Sequence, residues 1–304
     1  LLGVGGDHEV VLLQGGASLQ FSMVPMNFLA SHSGEANYIV TGTWGKSGLR
    51  EASRVGNSHV AWDGVEEGYN RLPSAEEVIL SKNPAYVHVT SNETIQGVQW
   101  QAIPTFQNVP LICDSSSDFL SRPVDIADYG MLYACAQKNA GIAGVTVAVI
   151  RRDLLSRSQE KLPAMLNYQT FVEKGSRPNT PPVFAVYILG LVCEWILNDV
   201  GGLEHIAARN AAKVSKVYDV IDSSEGFFRG HACPASRSIM NVTFRLPSEE
   251  LEAAFVKNAA AEGLSDLKGH RSVGGIRASI YNAMPAEGVD ALCQFMSNFK
   301  SSHG

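Results

Sequence analysis

Two charged side chains stand where apolar runs end. Val109-Pro110-Leu111-Ile112-Cys113 leads into Asp114, and Met131-Leu132-Tyr133-Ala134-Cys135 leads into Ala136-Gln137-Lys138-Asn139. A carboxylate and an amine at the carboxyl ends of two strands face the crevice where open α/β sheets bind ligands. An amine in a low-dielectric cleft loses basicity and suits Schiff-base chemistry, while a buried carboxylate can hold a heterocyclic N–H⁺. Pyridoxal phosphate chemistry needs that pair: the lysine carries the aldehyde, and the acid keeps the ring nitrogen protonated as an electron sink. The same spacing equally fits a salt bridge or two unrelated strand-end charges.

Three further segments bear on the same chemistry. In Leu12-Leu13-Gln14-Gly15-Gly16-Ala17-Ser18 a strand runs through two glycines into a helix. Free N–H groups at such a helix start, approached through glycine, form a phosphate cradle, and the same residues also fit a plain strand–turn–helix joint. The spaced G-x-G-x-x-G and G-K-[ST] patterns are absent, which argues against a dinucleotide or NTP site. Trp44 follows the strand-like Tyr38-Ile39-Val40-Thr41, placed either to stack on a flat ring or to fill the core. Gly269-His270-Arg271-Ser272-Val273-Gly274-Gly275-Ile276-Arg277 gathers one His and two Arg in an acidic protein. Arginine grips carboxylate and phosphate through paired N–H groups, so this knot suits a small dianion; a solvated loop is the alternative. His8, His32, His59, His88, His205, His231 and His303 show no metal-ligand spacing and read as surface or core.

The elements that must position these groups follow from the apolar pattern. The 304 residues are 45% apolar and 18% charged, the composition of an ordinary globular chain with two core-forming units. A net charge of −6 leaves no broad basic surface for nucleic acid or anionic lipid. Unbroken apolar runs such as Val183–Ile188 are far shorter than the ~18–20 residues of a membrane span. Cys113, Cys135, Cys193, Cys233 and Cys293 are odd in number and lack a C-x-x-C pair, which argues for free thiols in a reducing compartment, cytoplasm or organelle interior. No targeting segment is visible. The sequons at Asn92 and Asn241 fall on strand-like residues and read as chance matches.

Apolar runs predict strands at 9–13, 38–41, 59–62, 85–89, 110–113, 131–135 and 144–150, several without alternation, as in strands buried on both faces. Helices are expected at Leu19–Ala30, Ser74–Leu80, Val183–Leu197 and Leu203–Ile221. From about Gly226 the pattern is strand (Ser238–Phe244), helix (Ser248–Glu262), strand (Gly275–Tyr281) and helix (Glu287–Phe299). The expected fold is therefore α/β: a three-layer large domain, residues 1–198, around a mostly parallel seven-stranded sheet, then a smaller α+β domain, residues 199–304.

Taken together, LLQGGASLQFSMVPMNFL, YIVTGTWGKSGLREA, VHVTSNETIQGVQW, the PLICDSSSDFL to CAQKNAGIAGVTVAVIRRDLL stretch, NTPP, RSIMNVTF and GHRSVGGIRASIYNAMPAEGV resemble the phosphoserine aminotransferases of the class V aminotransferase group. The likeness spans residues 10 to 290, and AQKN and GHRSVGGIRASIYNAMP are its most specific parts. It implies a fold-type I pyridoxal 5'-phosphate enzyme that moves an amino group between L-glutamate and 3-phosphohydroxypyruvate in L-serine biosynthesis. By the same resemblance Lys138 binds the cofactor covalently, Asp114 pairs with its ring nitrogen, Trp44 stacks on the ring and Thr94 lies near its phenolic oxygen. Ala17, Ser18 and Gln137 hold its phosphate, joined by Asn179 and Thr180 of a second subunit, so an obligate homodimer with shared sites is implied. Arg277 takes the substrate α-carboxylate, and His270 and Arg271 take the distal phosphate or carboxylate. The resemblance further implies residues upstream of Leu1 that complete the smaller domain. Two other readings share the fold: a cofactor-binding but catalytically weak dimer subunit or regulator, and a different class V reaction such as cysteine desulfuration.

Overall fold

A computed structural model describes residues 1–30, 33–159 and 161–304; His32 lies outside them. Strands β1 (His8–Leu13), β2 (Glu35–Val40), β3 (Ser58–Asp63), β4 (Pro84–Thr90), β7 (Leu111–Asp114), β8 (Met131–Cys135) and β9 (Thr146–Arg151) form one seven-stranded sheet in the order β1-β9-β8-β7-β4-β2-β3. A two-stranded ribbon, β5 (Asn92–Glu93) with β6 (Val98–Gln99), follows β4. The order is legible only in three dimensions, but the strands are those the apolar runs predict. Five of them run parallel side by side, and β9 is antiparallel to both β8 and β1. Hence β1 points the same way as β8, and the carboxyl ends of β1, β2, β4, β7 and β8 share one edge.

Successive strand residues face opposite sides of the sheet, and two cores result. Val87, Val89, Cys113, Leu132 and Ala134 pack on one face, while Tyr86, Ile112, Met131 and Tyr133 pack on the other. Helices α1 (Gly16–Phe28), α2 (Thr43–Val55) and α4 (Tyr168–Glu173) lie on the second face, and the one-turn α3 (Arg152–Leu155) follows β9. Helix α5 (Val183–Glu194), a π-helical turn at Trp195–Val200 and the start of α6 (Leu203–Asp222) cover the first. A third core is built from the rest of α6, β10 (Arg229–Gly230), β11 (Asn241–Arg245), α7 (Glu249–Ala261), β12 (Ile276–Ser279) and α8 (Ala286–His303).

Two expectations need correction. The helix expected over Ser74–Leu80 is a three-residue 3₁₀ turn, Ala75–Glu77. Ser74 and Glu77 form the reciprocal capping box that announces a helix, but Glu77 is also held by Arg71, at 2.7 and 2.8 Å. The chain beyond is drawn out so that Val78 and Leu80 reach the core. The expectation that no segment has the length of a membrane span also fails: Val183–Val200 is one 18-residue helical stretch of mean hydropathy 1.7. Counting unbroken apolar residues missed it because Glu194, Asn198 and Asp199 interrupt the run without ending the helix. Its inner residues Ala185, Leu189, Ile196 and Val200 pack on the sheet, while 22% of the stretch is buried and Val183, Phe184 and Tyr187 on its outer face are exposed.

Buried amides tie the C-terminal core to the sheet. Asn92 Nδ2 donates to Ser117 Oγ (2.8 Å) and to Asn241 Oδ1 (2.9 Å). The Asn282 N–H donates to Asn139 Oδ1 (2.9 Å), and its side chain donates to the Leu120 carbonyl while accepting from Asn210, both at 2.8 Å. Each of these asparagines is buried, the two sequons included.

Candidate active site

At the shared strand edge lies a cavity of about 250 Å³. Its walls are the turns that leave the strands: Gly15 to Ser18 after β1, Trp44 after β2, Thr90, Asn92 and Thr94 at and beyond the end of β4, Asp114, Ser116 and Ser117 after β7, and Cys135, Gln137 and Lys138 after β8. Each short strand delivers its polar residue at the point where the ladder ends, which is why residues far apart in sequence meet.

Asp114 is buried, and that burial holds its carboxyl above the usual carboxylate range. The Ser116 N–H (3.0 Å) and hydroxyl (2.5 Å) both donate to Oδ1, and among the described residues no other donor reaches the carboxylate. Lys138 Nζ donates to Thr94 Oγ1 at 2.8 Å and stands 5.7 Å from the centre of the Trp44 ring, within reach of a cation–π contact. Asp114 and Lys138 form no salt bridge, so the two charges flank the cavity instead of cancelling across it.

Two helix N-termini open toward this region, and only one is free. At α1, Gly15 (φ +93°) and Gly16 (φ +66°) turn the chain in the left-handed region, where a side chain is strained; a Cβ on Gly15 would also lie 2.4 Å from Leu19. The N–H groups of Gly16 and Ser18 take no partner among the described residues, and that of Ala17 faces the Cys135 thiol. At α2 the first-turn donors are taken: Thr43 N–H by Gln96 Oε1 (3.3 Å), Trp44 N–H by Glu93 Oε2 (3.0 Å) and Gly45 N–H by Glu93 Oε1 (2.8 Å). The unpartnered first-turn donors are therefore those of α1, the end of a helix that favours an anion.

The cavity also gathers unsatisfied atoms. Thr90 Oγ1, Asn92 Oδ1 and Trp44 Nε1 are buried without a partner and line it. Each such atom costs about 1–3 kcal/mol unless something binds there. An amine, a buried acid, an aromatic face and an open helix start around a space for one ring fit a phosphorylated pyridine aldehyde.

Of the residues singled out from sequence, Ala17, Ser18, Trp44, Thr94, Asp114, Gln137 and Lys138 meet in this cavity. Asn179 and Thr180 stand outside it, exposed, where Asn179 Oδ1 (3.3 Å) and the Thr180 carbonyl (3.2 Å) accept from Gln14. Arg277 lies on β12 opposite Thr243, whose hydroxyl donates to the Ile95 carbonyl (3.1 Å), one residue past Thr94. Its Nε is buried without a partner. His270 hydrogen-bonds Ser272, and Arg271 lines a separate cavity of about 590 Å³ with Arg245, Lys257 and Lys268. Sequence reasoning did not single out Thr90, Asn92, Glu93, Ser116 or Cys135. A cluster of hydroxyls directly after an apolar strand, Ser115-Ser116-Ser117, was the available signal for Ser116.

Comparison with known proteins bears on this geometry. The family model "Aminotransferase class-V" matches residues 1–292. The phosphoserine aminotransferase of Rhodopirellula baltica is 51% identical over 304 residues, all of this chain and 81% of its own length. That of Niallia circulans is 52% identical, again over the whole chain and 83% of its own length. Among solved structures, phosphoserine aminotransferase from Bacillus circulans subsp. alkalophilus superposes with a TM-score of 0.97 at 51% identity, covering 100% of this chain and 83% of that one. The PLP-bound phosphoserine aminotransferase from Trichomonas vaginalis gives 0.91 at 38% identity, over 98% and 84% of the two chains.

Proposed function

This chain belongs to the aminotransferase class-V family, and from that footing we propose that it is a pyridoxal phosphate-dependent phosphoserine aminotransferase, passing an amino group from L-glutamate to 3-phosphohydroxypyruvate. The observation that carries the reading is the single cavity that holds Lys138, Asp114 and Trp44 beside the open start of α1. Relatives about half identical over the whole chain support the choice of substrates.

The bound cofactor supplies an aldehyde that exchanges with amino groups and a protonated ring that accepts an electron pair. Around it the chain's residues divide the work. The α1 N–H groups of Ala17 and Ser18, with Gln137, hold the phosphate. Asp114, oriented by Ser116, keeps a proton on the ring nitrogen, and its own burial strengthens that pairing. Trp44, which lines the cavity beside Lys138, would offer its ring to the cofactor. Lys138, its amine steadied by Thr94, would move a proton to and from the substrate Cα as general base and acid. Arg277 receives the α-carboxylate through its guanidinium, and His270 and Arg271, which stand outside the Lys138 cavity of their own chain, are assigned the distal anion by the family resemblance. Glutamate and phosphoserine both carry an α-carboxylate and a distal anion, so one set of cationic groups serves both half-reactions.

The test is a pair of single half-reactions on the cofactor-loaded chain. Glutamate alone is expected to yield one equivalent of 2-oxoglutarate, and 3-phosphohydroxypyruvate added afterwards to yield O-phosphoserine. Preference for an unphosphorylated oxo acid in the second step would defeat the substrate assignment. Arg277→Ala should lower kcat/KM for both amino acids by ~2–5 kcal/mol, the cost of a lost charge-assisted pair.

We further infer that two copies pair through the outer face of α5. Val183, Phe184 and Tyr187 are 65%, 67% and 59% exposed there, an apolar surface that water does not favour. Asn179 and Thr180 immediately precede this face and stand outside the chain's own cavity, which supports a role in a neighbour's site. Phe184→Asp should shift the sedimenting species from two subunits to one, and an unchanged dimer would place the interface elsewhere. The free state of all five cysteines supports a reducing compartment.

A further inference from the structure

Glu93 is the most deeply buried acid near the cavity, with no exposed surface, yet it does not line the cavity. It sits in Asn92-Glu93-Thr94, where alternate residues face opposite sides. Asn92 and Thr94 face the cavity, and Thr94 takes the Lys138 amine. Glu93 faces the start of α2 instead. One of its oxygens accepts the Trp44 N–H and the other the Gly45 N–H. A carboxylate against a helix start is held by donors and by the helix dipole together. Room for it is provided by glycine: a Cβ on Gly42 would lie 2.6 Å from the Glu93 carboxyl carbon, and one on Gly45 would lie 3.3 Å from Oε1. Gln96 completes the grip, its amide donating to Thr43 Oγ1 at 2.8 Å.

We propose that Glu93 is a positioning residue: by clamping the first turn of α2 it fixes the Trp44 ring beside Lys138, and so shapes the cavity for a flat ring. The proposal rests on the pyridoxal phosphate reading above and deepens it. One short segment thereby places both the ring-covering tryptophan, through Glu93, and the reactive amine, through Thr94. Burial also raises the Glu93 carboxyl to about 7, opposed by the two N–H donors that favour its charged form. A residue serving only the core would be apolar here, since a buried acid is costly without such partners.

The experiment measures pyridoxal phosphate affinity and, on the cofactor-free chain, the Trp44 contribution to near-ultraviolet circular dichroism, defined by subtracting a Trp44→Phe variant. Glu93→Ala is expected to weaken cofactor binding about tenfold and to flatten the Trp44 signal. Glu93→Gln, which keeps one strong acceptor, should weaken binding about threefold. In a Trp44→Phe background the Glu93→Ala effect on affinity should largely vanish, because the two residues act in series. Wild-type affinity in Glu93→Ala, or an equal loss with and without Trp44, would overturn the proposal. If the alanine variant does not fold, Glu93→Gln decides alone: a threefold loss supports the proposal and wild-type affinity overturns it. A wild-type chain that fails to bind pyridoxal phosphate would overturn the functional reading instead, while the dichroism of the cofactor-free chain still reports whether Glu93 holds Trp44.

Discussion

Lys138→Ala is expected to lower turnover by at least ~10⁴-fold while leaving the fold intact. General acid–base catalysis by one placed side chain contributes up to about 10⁴-fold, and this lysine is also the residue proposed to anchor the cofactor. Its amine is held at 2.8 Å from Thr94 Oγ1, and among the described residues no second amine lines the cavity to replace it. Lys138 is partly exposed and, among the described residues, its amine hydrogen-bonds only Thr94, so its removal costs the core little. Three measurements read the result: single-turnover rates with glutamate, borohydride trapping followed by peptide mass analysis, and thermal unfolding. Trapped cofactor mass should sit on Lys138 in the wild type and nowhere in the variant. Small primary amines added to the variant should recover part of the proton-transfer rate. Turnover within tenfold of wild type would remove Lys138 from the chemistry altogether.

Asp114→Ala should follow closely, with a loss of about 10³-fold in turnover, the scale of removing a preorganised electrostatic partner from a water-poor site. The carboxylate is buried and held by two donors from Ser116 on a single oxygen, so its geometry is set before any ligand arrives. Asp114→Asn keeps the shape and the Ser116 contacts but lacks the charge that holds a ring proton. It is expected to lose nearly as much activity with little change in stability, which separates charge from packing. Cofactor absorbance during glutamate addition checks the assignment: both variants should bind cofactor and convert slowly. Fast conversion in Asp114→Asn would mean that some other group holds the ring nitrogen.

Much of this arrangement was legible from the sequence, for a physical reason. Strands buried on both faces, β4, β7, β8 and β9 among them, are written as apolar runs, and the shorter apolar cores of β1, β2 and β3 completed the seven, so the charges at the ends of β7 and β8 stood out against them. Strand order could not be read, because pairing depends on contacts distant in sequence. The β5–β6 ribbon was invisible for a different reason. Its Asn92, Glu93 and Gln99 are polar and buried, each hydrogen-bonded to other segments, and hydropathy reads such residues as surface. Glu93 escaped notice on that account. The Ser74 segment erred in the opposite direction, since a local capping signal was complete but Arg71 and the core competed for the residues that would have continued a helix. The segment Gly269–Arg277 was recognisable as cationic, but sequence does not say that Arg271 lines a cavity separate from the one that holds Lys138.

The asparagine contacts between the sheet and the C-terminal core carry one more consequence. Asn92 with Asn241 and Asn139 with Asn282 bond across the junction, and Asn282 also accepts from Asn210. Were the C-terminal part to melt first, each of these bonds would be exchanged for one to water, a net loss of about 0.5–1.5 kcal/mol apiece on top of the apolar contacts given up. Heating therefore couples the two cores into one cooperative transition, and the catalytic turns survive as long as the last cross-junction amide does, with no half-melted form that keeps a working site.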